Sequence, residues 1–298
     1  MRWFTHFLAV TPLSALLFAP VAHADLFPCT TEGILDAIAL GGGPHTFACA
    51  GPTTVTPAEM IEIDNDVILD GEGRLIIDGD NRHKVLFVPP VKIVELHNMT
   101  ITRGLGNGPE GGTEAGAGIL NSGILTLVNL SVLDNHLGAG GGVANRTLRG
   151  DPPPSLTIIN SIIAENTGGG IFNDIDATLT VTGSVIAENT GSGIFNRGLM
   201  TVSDSTVSGN EATKGGGIFN EGSPWLAQFT ITSTTISENL ATSEGGGLYN
   251  IGSLSGGQYA ISNSTISGNT SVLGGGGIRD FFGQVEIVSS TISGNTAR

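Results

Sequence analysis

Positive charge is scarce in this 298-residue chain: 12 Lys and Arg stand against 27 Asp and Glu, a formal net charge of −15. That balance excludes a nucleic-acid binder, because neutralising phosphates takes clustered Lys and Arg. Charged residues of either sign make up only 13% and aromatics 5%. So low a charge excludes a solvated, disordered polymer. Cysteine is limited to Cys29 and Cys49, with no second Cys or His pair at zinc-ligand spacing. Beyond the first 24 residues no apolar run is long enough to span a bilayer as a helix. The 46 glycines follow no G-X-Y period, which excludes collagen.

What is present begins with an address. Arg2, an apolar run from Phe7 to Val21 and the tripeptide Ala22-His23-Ala24 form the three parts of a secretory signal peptide. Residues 1–24 are therefore expected to leave after Ala24, with an uncleaved membrane anchor as the alternative. In an exported chain an even cysteine count implies a disulfide, Cys29–Cys49. Between the two cysteines, Thr30–Leu40 carries apolar residues at helical spacing and stops at Gly41-Gly42-Gly43. This predicts a short amphipathic helix in an N-terminal cap over residues 25–52.

From about residue 94 the chain repeats itself in three phrases. The first is Leu125-Thr-Leu-Val, Leu156-Thr-Ile-Ile, Leu179-Thr-Val-Thr, Met200-Thr-Val-Ser, Phe229-Thr-Ile-Thr, Tyr259-Ala-Ile-Ser and Val285-Glu-Ile-Val. Its first and third places are always apolar, the period-two pattern of a strand with one buried face. The second phrase is Ile163-Ala-Glu-Asn166, Ile186-Ala-Glu-Asn189, Val207-Ser-Gly-Asn210, Ile236-Ser-Glu-Asn239 and Ile266-Ser-Gly-Asn269, with a copy that fits when counted from Val132 to Asn135. It reads as a short strand ending in a turn, with Asn in the left-handed region. The third phrase is Gly170-Ile-Phe-Asn173, Gly193-Ile-Phe-Asn196, Gly217-Ile-Phe-Asn220 and Gly247-Leu-Tyr-Asn250, with looser copies at Gly118, Gly142 and Gly277. Its aliphatic column, Ile119, Val143, Ile171, Ile194, Ile218, Leu248 and Ile278, should point inward. The variable column, with Phe172, Phe195, Phe219 and Tyr249, should point outward. The Asn column shares the inward side or a bend, where its amides can bond along a stack.

Three short strands per period, Gly and Asn turns and no helical pattern describe an all-β solenoid. A right-handed parallel β-helix fits best, with roughly ten coils over residues 53–298 stacked about 4.8 Å apart. Residues 53–103 form less regular early coils, and residues 25–52 cap the N-terminal end. Loops interrupt the coils at 104–116, 147–155, 222–227 and 253–257.

Phrases such as Ile266-Ser-Gly-Asn269 followed by Gly275-Gly-Gly-Ile278 resemble the paired repeat of polymorphic outer membrane proteins. More broadly the chain resembles the pectin-lyase-like β-helix superfamily over residues 94–298. The first resemblance implies export and an adhesive role at the cell surface, associated with the outer membrane. That family continues into a barrel, which is not present here, so the last coil is expected to need a partner or a further domain to cover it.

The densest polar cluster is Asp64, Asp66, Asp70, Asp78, Asp80, Asn81, Arg82, His83 and Lys84. In the β-helix lyases a carboxylate cluster binds Ca²⁺ and an Arg or Lys takes the proton. By that resemblance Asp78, Asp80, Lys84 and Arg103 are the catalytic candidates and Ca²⁺ the one cofactor to consider. The competing reading makes Asp70-Gly71 and Asp78-Gly79 ordinary turns. The Gly-His-Gly, Asn-Thr-Asp and Arg-x-Pro-x-x-Arg signatures of pectin-active enzymes do not occur. The outward rings Phe172, Phe195, Phe219 and Tyr249 are the binding candidates, a row for sugar rings or a surface protein, or simply a stabilising ladder. Asp134, Glu165, Glu188 and Glu238 read as an acidic edge, and the pairs Thr180/Thr182, Thr201/Ser203 and Thr230/Thr232 resemble ice-binding β-helices. The preferred reading is an exported, non-catalytic interaction scaffold. The alternative is a polysaccharide lyase or hydrolase.

Overall fold

The computed structural model describes residues 25–106, 116–136, 140–222, 228–252 and 259–298. The expected signal peptide, residues 1–24, lies outside them, as do parts of the expected loops. Within the described residues the chain is a parallel β-solenoid built from three sheets of nineteen, nine and four strands, with one short helix near the N-terminus.

The three phrases become three stacked columns. In the large sheet the first phrase stacks as Leu125, Leu156, Leu179, Met200, Phe229, Tyr259 and Val285. The second runs from Ile101 through Val132, Ile163, Ile186, Val207, Ile236 and Ile266 to Ile292. In the nine-stranded sheet the aliphatic column runs from Ile119 to Ile278. All three columns meet in one apolar core, and Ile119, Val143, Ile171, Ile194, Ile218 and Leu248 are fully buried. A parallel rung pairs each strand with its copy one turn away, so identical side chains must fit on top of one another. Aliphatic residues of one size do so without strain.

The asparagines inside the column are satisfied along the axis. Asn135, Asn166, Asn189, Asn210, Asn239, Asn269 and Asn295 form a ladder in which each side-chain amide donates to the next Oδ1 at 2.8–3.0 Å. A second ladder links Asn121, Asn145, Asn173, Asn196, Asn220 and Asn250 and ends on Asp280. This is the amide stack that the third phrase predicts. The second phrase needs a correction. Its Asn does not occupy the left-handed turn position. The residue before it does: Asp134, Glu165, Glu188, Gly209, Glu238, Gly268 and Gly294 all have φ between 55° and 67°. The turn swings the following Asn inward, where it is buried and makes the ladder.

The helix α1 spans Thr31–Leu40 and is capped by Thr30, whose side chain accepts from Gly33 N–H at 3.2 Å. Gly41, at φ 67°, ends it. Its buried face, Ile34, Ala37 and Ile38, joins the central core. The Cys29–Cys49 disulfide ties the segment on either side of it. At the other end the final rung leaves Ile287 and Ile292 41% and 48% exposed.

Candidate functional site

The early coils bring Asp78, Asp80 and Arg103 together. Asp78 Oδ1 accepts the Asp80 backbone N–H at 2.8 Å, which is the turn geometry expected of Asp-Gly. The Arg103 Nε then lies 2.9 Å from both Asp78 oxygens, and its Nη2 also bonds Asp78 Oδ2. Asp80 sits at 3.9 Å from the same guanidinium and at 3.1 Å from Arg82 Nε. The hydrogen bond to Asp78, followed by its charge, holds the Arg103 pKa above its usual value. Asp78 is therefore fully engaged, with a side chain only 5% exposed. Asp70 is engaged in the same way, accepting Glu72 N–H at 2.8 Å and Asn98 Nδ2 at 2.9 Å. His83 directs both ring nitrogens at backbone carbonyls, those of Lys84 and Pro57. Lys84 is half-buried in the segment that leads to the strand Leu86–Val88. Among the described residues no cluster of three or more His, Cys, Asp or Glu is placed to hold a metal ion.

The aromatic column stacks in register, Phe172 on Phe195 on Phe219 on Tyr249. Phe195 and Phe219 are parallel at 4.7 Å, Phe172 meets Phe195 edge to face at 5.4 Å, and Tyr249 tilts against Phe219 at 5.3 Å. These rings spend much of their surface on one another. Phe172 and Tyr249 are buried, 8% and 4% exposed, while Phe195 and Phe219 are half-buried. The Gly-rich loops cause this: a Cβ on Gly215 or Gly245 would fall 2.6–2.7 Å from Cβ of Phe219 or Tyr249. Only a residue without a side chain lets the loop lie so close.

Those loops also create a groove. Leu105, His136, Thr167, Thr190 and Glu211 form a column of single parallel bridges, continued by Leu240, Thr270 and Thr296. Beyond this column the turns diverge in length. After Glu211 the chain runs out as the strand Glu211–Lys214, the first of the four-stranded sheet. After Thr167 and Thr190 it doubles straight back through Gly168 and Gly191, at φ 91° and 121°. Two short turns beside a longer one leave a step, and the step is a groove of about 490 Å³. Phe195 supplies its exposed apolar surface beside the buried Ile171, and Thr190, Ser192 and Glu211 line it with Gly140 of a preceding turn. Ala212, Thr213 and Thr242 complete the wall on the strand side. The volume is within the usual range for a ligand site, roughly 300–1,000 Å³.

No family model matches the chain, and no curated protein does. Solved structures do. The pectate lyase Pel9A aligns over 94% of this chain and 79% of its own, with a TM-score of 0.53 and 12% identity. PfbA, a surface adhesin of Streptococcus pneumoniae, aligns over 90% of this chain and 87% of its own, with a TM-score of 0.46 and 11% identity. The Dettilon tailspike protein aligns over 92% of this chain and 54% of its own at a TM-score of 0.46 and 13% identity. The chain shares the pectin-lyase-like β-helix fold with Pel9A, and at this identity the likeness is one of fold.

Of the four rings singled out from the sequence, Phe195 lines the groove. Thr190, Ser192, Glu211 and Ala212 were not singled out. Their signal is a length difference: Thr167–Gly169 and Thr190–Ser192 separate the Asn and Gly columns where Glu211–Gly216 does so one turn later. The outward face of the large sheet places Thr126, Thr157, Thr180, Thr201 and Thr230 in one register column, bounded by Glu95 and Ala260. The acidic column alternates with glycine at the left-handed position, and Asp134 pairs with His136 at 3.1 Å.

Proposed function

We propose that this chain is an exported, non-catalytic binding scaffold, secreted or held at the cell surface, whose docking place is the groove beside Phe195. The observation that carries the reading is the contrast between two regions. The groove is a preformed concavity on a rigid column, with apolar floor and polar wall. The carboxylate best placed for chemistry, Asp78, is bonded on both oxygens, by Asp80 N–H of its own turn and by Arg103 of the next. The partners are glycans or surface proteins, and the repeat's resemblance to polymorphic outer membrane proteins supports the surface setting. No helix among the described residues is long and apolar enough to cross a membrane.

A second reading, a polysaccharide-active enzyme, is favoured by the convergence of Asp78, Asp80 and Arg103 on a fold shared with a pectate lyase. A depolymerisation assay on acidic and neutral polysaccharides, with and without Ca²⁺, separates the two. The scaffold reading expects no turnover. Turnover that disappears in a folded Asp78→Ala or Lys84→Ala variant would replace it with the enzyme.

A further inference from the structure

We propose that the groove takes a neutral oligosaccharide and rejects a polyanionic one, an inference that rests on the groove being the docking place. The lining decides the chemistry. Glycine at 140, 168 and 191 keeps side chains out of the lining; their N–H groups donate to Gly168 O, Thr190 O and Glu211 O, which leaves carbonyl lone pairs for a ligand hydroxyl. Thr190, Ser192, Thr213 and Thr242 add hydroxyls, and the half-buried Phe195 offers apolar surface for the C–H face of a sugar ring.

The charges point the same way. Among the described residues Glu211 is the single ionisable one in the lining, with no Lys, Arg or His beside it. A carboxylate accepts hydrogen bonds from neighbouring sugar hydroxyls, and it repels a second carboxylate, sulfate or phosphate. Glu211 is also held in place: its backbone N–H donates to Asn189 O at 3.0 Å and its carbonyl accepts from Gly191 N–H at 2.7 Å. Ser192 Oγ donates to Lys214 O at 3.1 Å, which leaves its lone pairs for a ligand donor. Lys214, the cation of that strand, carries its ammonium 5.2 Å above the Tyr249 ring, toward the later turns. A net charge of −15 repels polyanions over the whole surface as well. The preferred ligand thus differs in charge from the pectate named for the structural neighbour Pel9A.

The test is isothermal titration of the full chain with linear β-1,4-glucan, β-1,4-xylan and α-1,4-glucan oligomers against an oligogalacturonate of equal length. At least one neutral oligomer should bind and the oligogalacturonate should not. Ala212→Trp fills the groove from a half-buried strand position and should weaken binding about tenfold or more, and Glu211→Gln by a smaller factor. If Ala212→Trp fails to fold, replacing Thr190–Ser192 by the sequence of Glu211–Gly216 closes the step with a loop that the fold already tolerates. Groove-dependent binding of the oligogalacturonate would overturn the charge assignment and leave the scaffold reading intact. Binding of neutral oligomers unchanged in both groove variants would overturn the groove itself. If no sugar binds while a cell-surface protein is captured in a manner sensitive to Ala212→Trp, the glycan inference fails and the scaffold stands.

Discussion

Glu188 and Asn189 are neighbours in sequence, and substituting them should move stability in opposite directions. Asn189 is buried and makes four side-chain hydrogen bonds: it accepts from Asn166 N–H and Asn166 Nδ2, and donates to Asn210 Oδ1 and Ile163 O, all at 2.8–3.1 Å. Asn189→Leu keeps the γ-branched shape and removes all four. The Asn166 N–H loses its partner in the dry interior, which costs about 1–3 kcal/mol, and three further bonds are lost at about 1 kcal/mol each. The expected loss is about 4–6 kcal/mol. Glu188 is exposed and holds φ 55°, a conformation that costs an L side chain about 1–2 kcal/mol. Its equivalents one and three turns later are Gly209 and Gly268, so Glu188→Gly enters a backbone already shaped for glycine. After the entropy that glycine adds to the unfolded chain, about 0.5–1 kcal/mol, the gain should be roughly 0.5–1 kcal/mol. Urea unfolding reports both through the midpoint at constant slope, and amide exchange at Asn166 locates the first effect. A cost below about 1 kcal/mol for Asn189→Leu, or a destabilised Glu188→Gly, would refute the assignment of turn and ladder to adjacent residues.

Three further outcomes are expected. Opening Cys29–Cys49 by Cys49→Ser frees a segment of sequence separation 20 and should cost roughly 3 kcal/mol in thermal melts under non-reducing conditions, with a wild-type melt unchanged by reductant as the contrary result. Phe219→Leu breaks the parallel pair with Phe195 and the tilted pair with Tyr249; about 1–2 kcal/mol should be lost, and a neutral effect in denaturant titration would show that the ladder adds nothing beyond burial. Arg103 has a pKa raised above its ordinary value by Asp78, so its stabilisation is complete below that value and is lost only as pH rises through the higher folded one. The gap in stability between wild type and Arg103→Gln should therefore stay constant from neutral to mildly alkaline pH and close only in strong alkali; a gap that closes near neutrality would assign the effect to another group.

The columns of the solenoid were legible because each is a repeated physical demand. An inward place that must accept its own copy above and below admits Ile119, Val143, Ile171 and Ile194 and little else. The register was legible even at the irregular copy, where counting from Val132 matched the pairing of Val132 with Ile163. The left-handed position was not, because Glu165 and Glu188 are poor formers of that conformation while Asn166 and Asn189 are good ones. The fold overrides the local preference: Asn is worth more inside, where it bonds along the axis. The outward direction of Phe172 and Tyr249 was legible, but their burial was not, since it depends on how closely a run of glycines several residues earlier can approach. The groove escaped because it is a property of no residue. It arises from the difference between turns, and a reading that aligns repeats to find what they share passes over where they differ.

That difference has an evolutionary consequence. The ladders and apolar columns lie on one side of the Asn and Gly positions and the varying segments on the other, so length can change without a core residue noticing. Trimming Ala212–Lys214 would leave Glu211-Gly215-Gly216, the length of Thr167–Gly169, and extend the recess by one storey, about 4.8 Å. A lineage built on this frame can lengthen, shorten or relocate its recognition surface by small insertions and deletions alone.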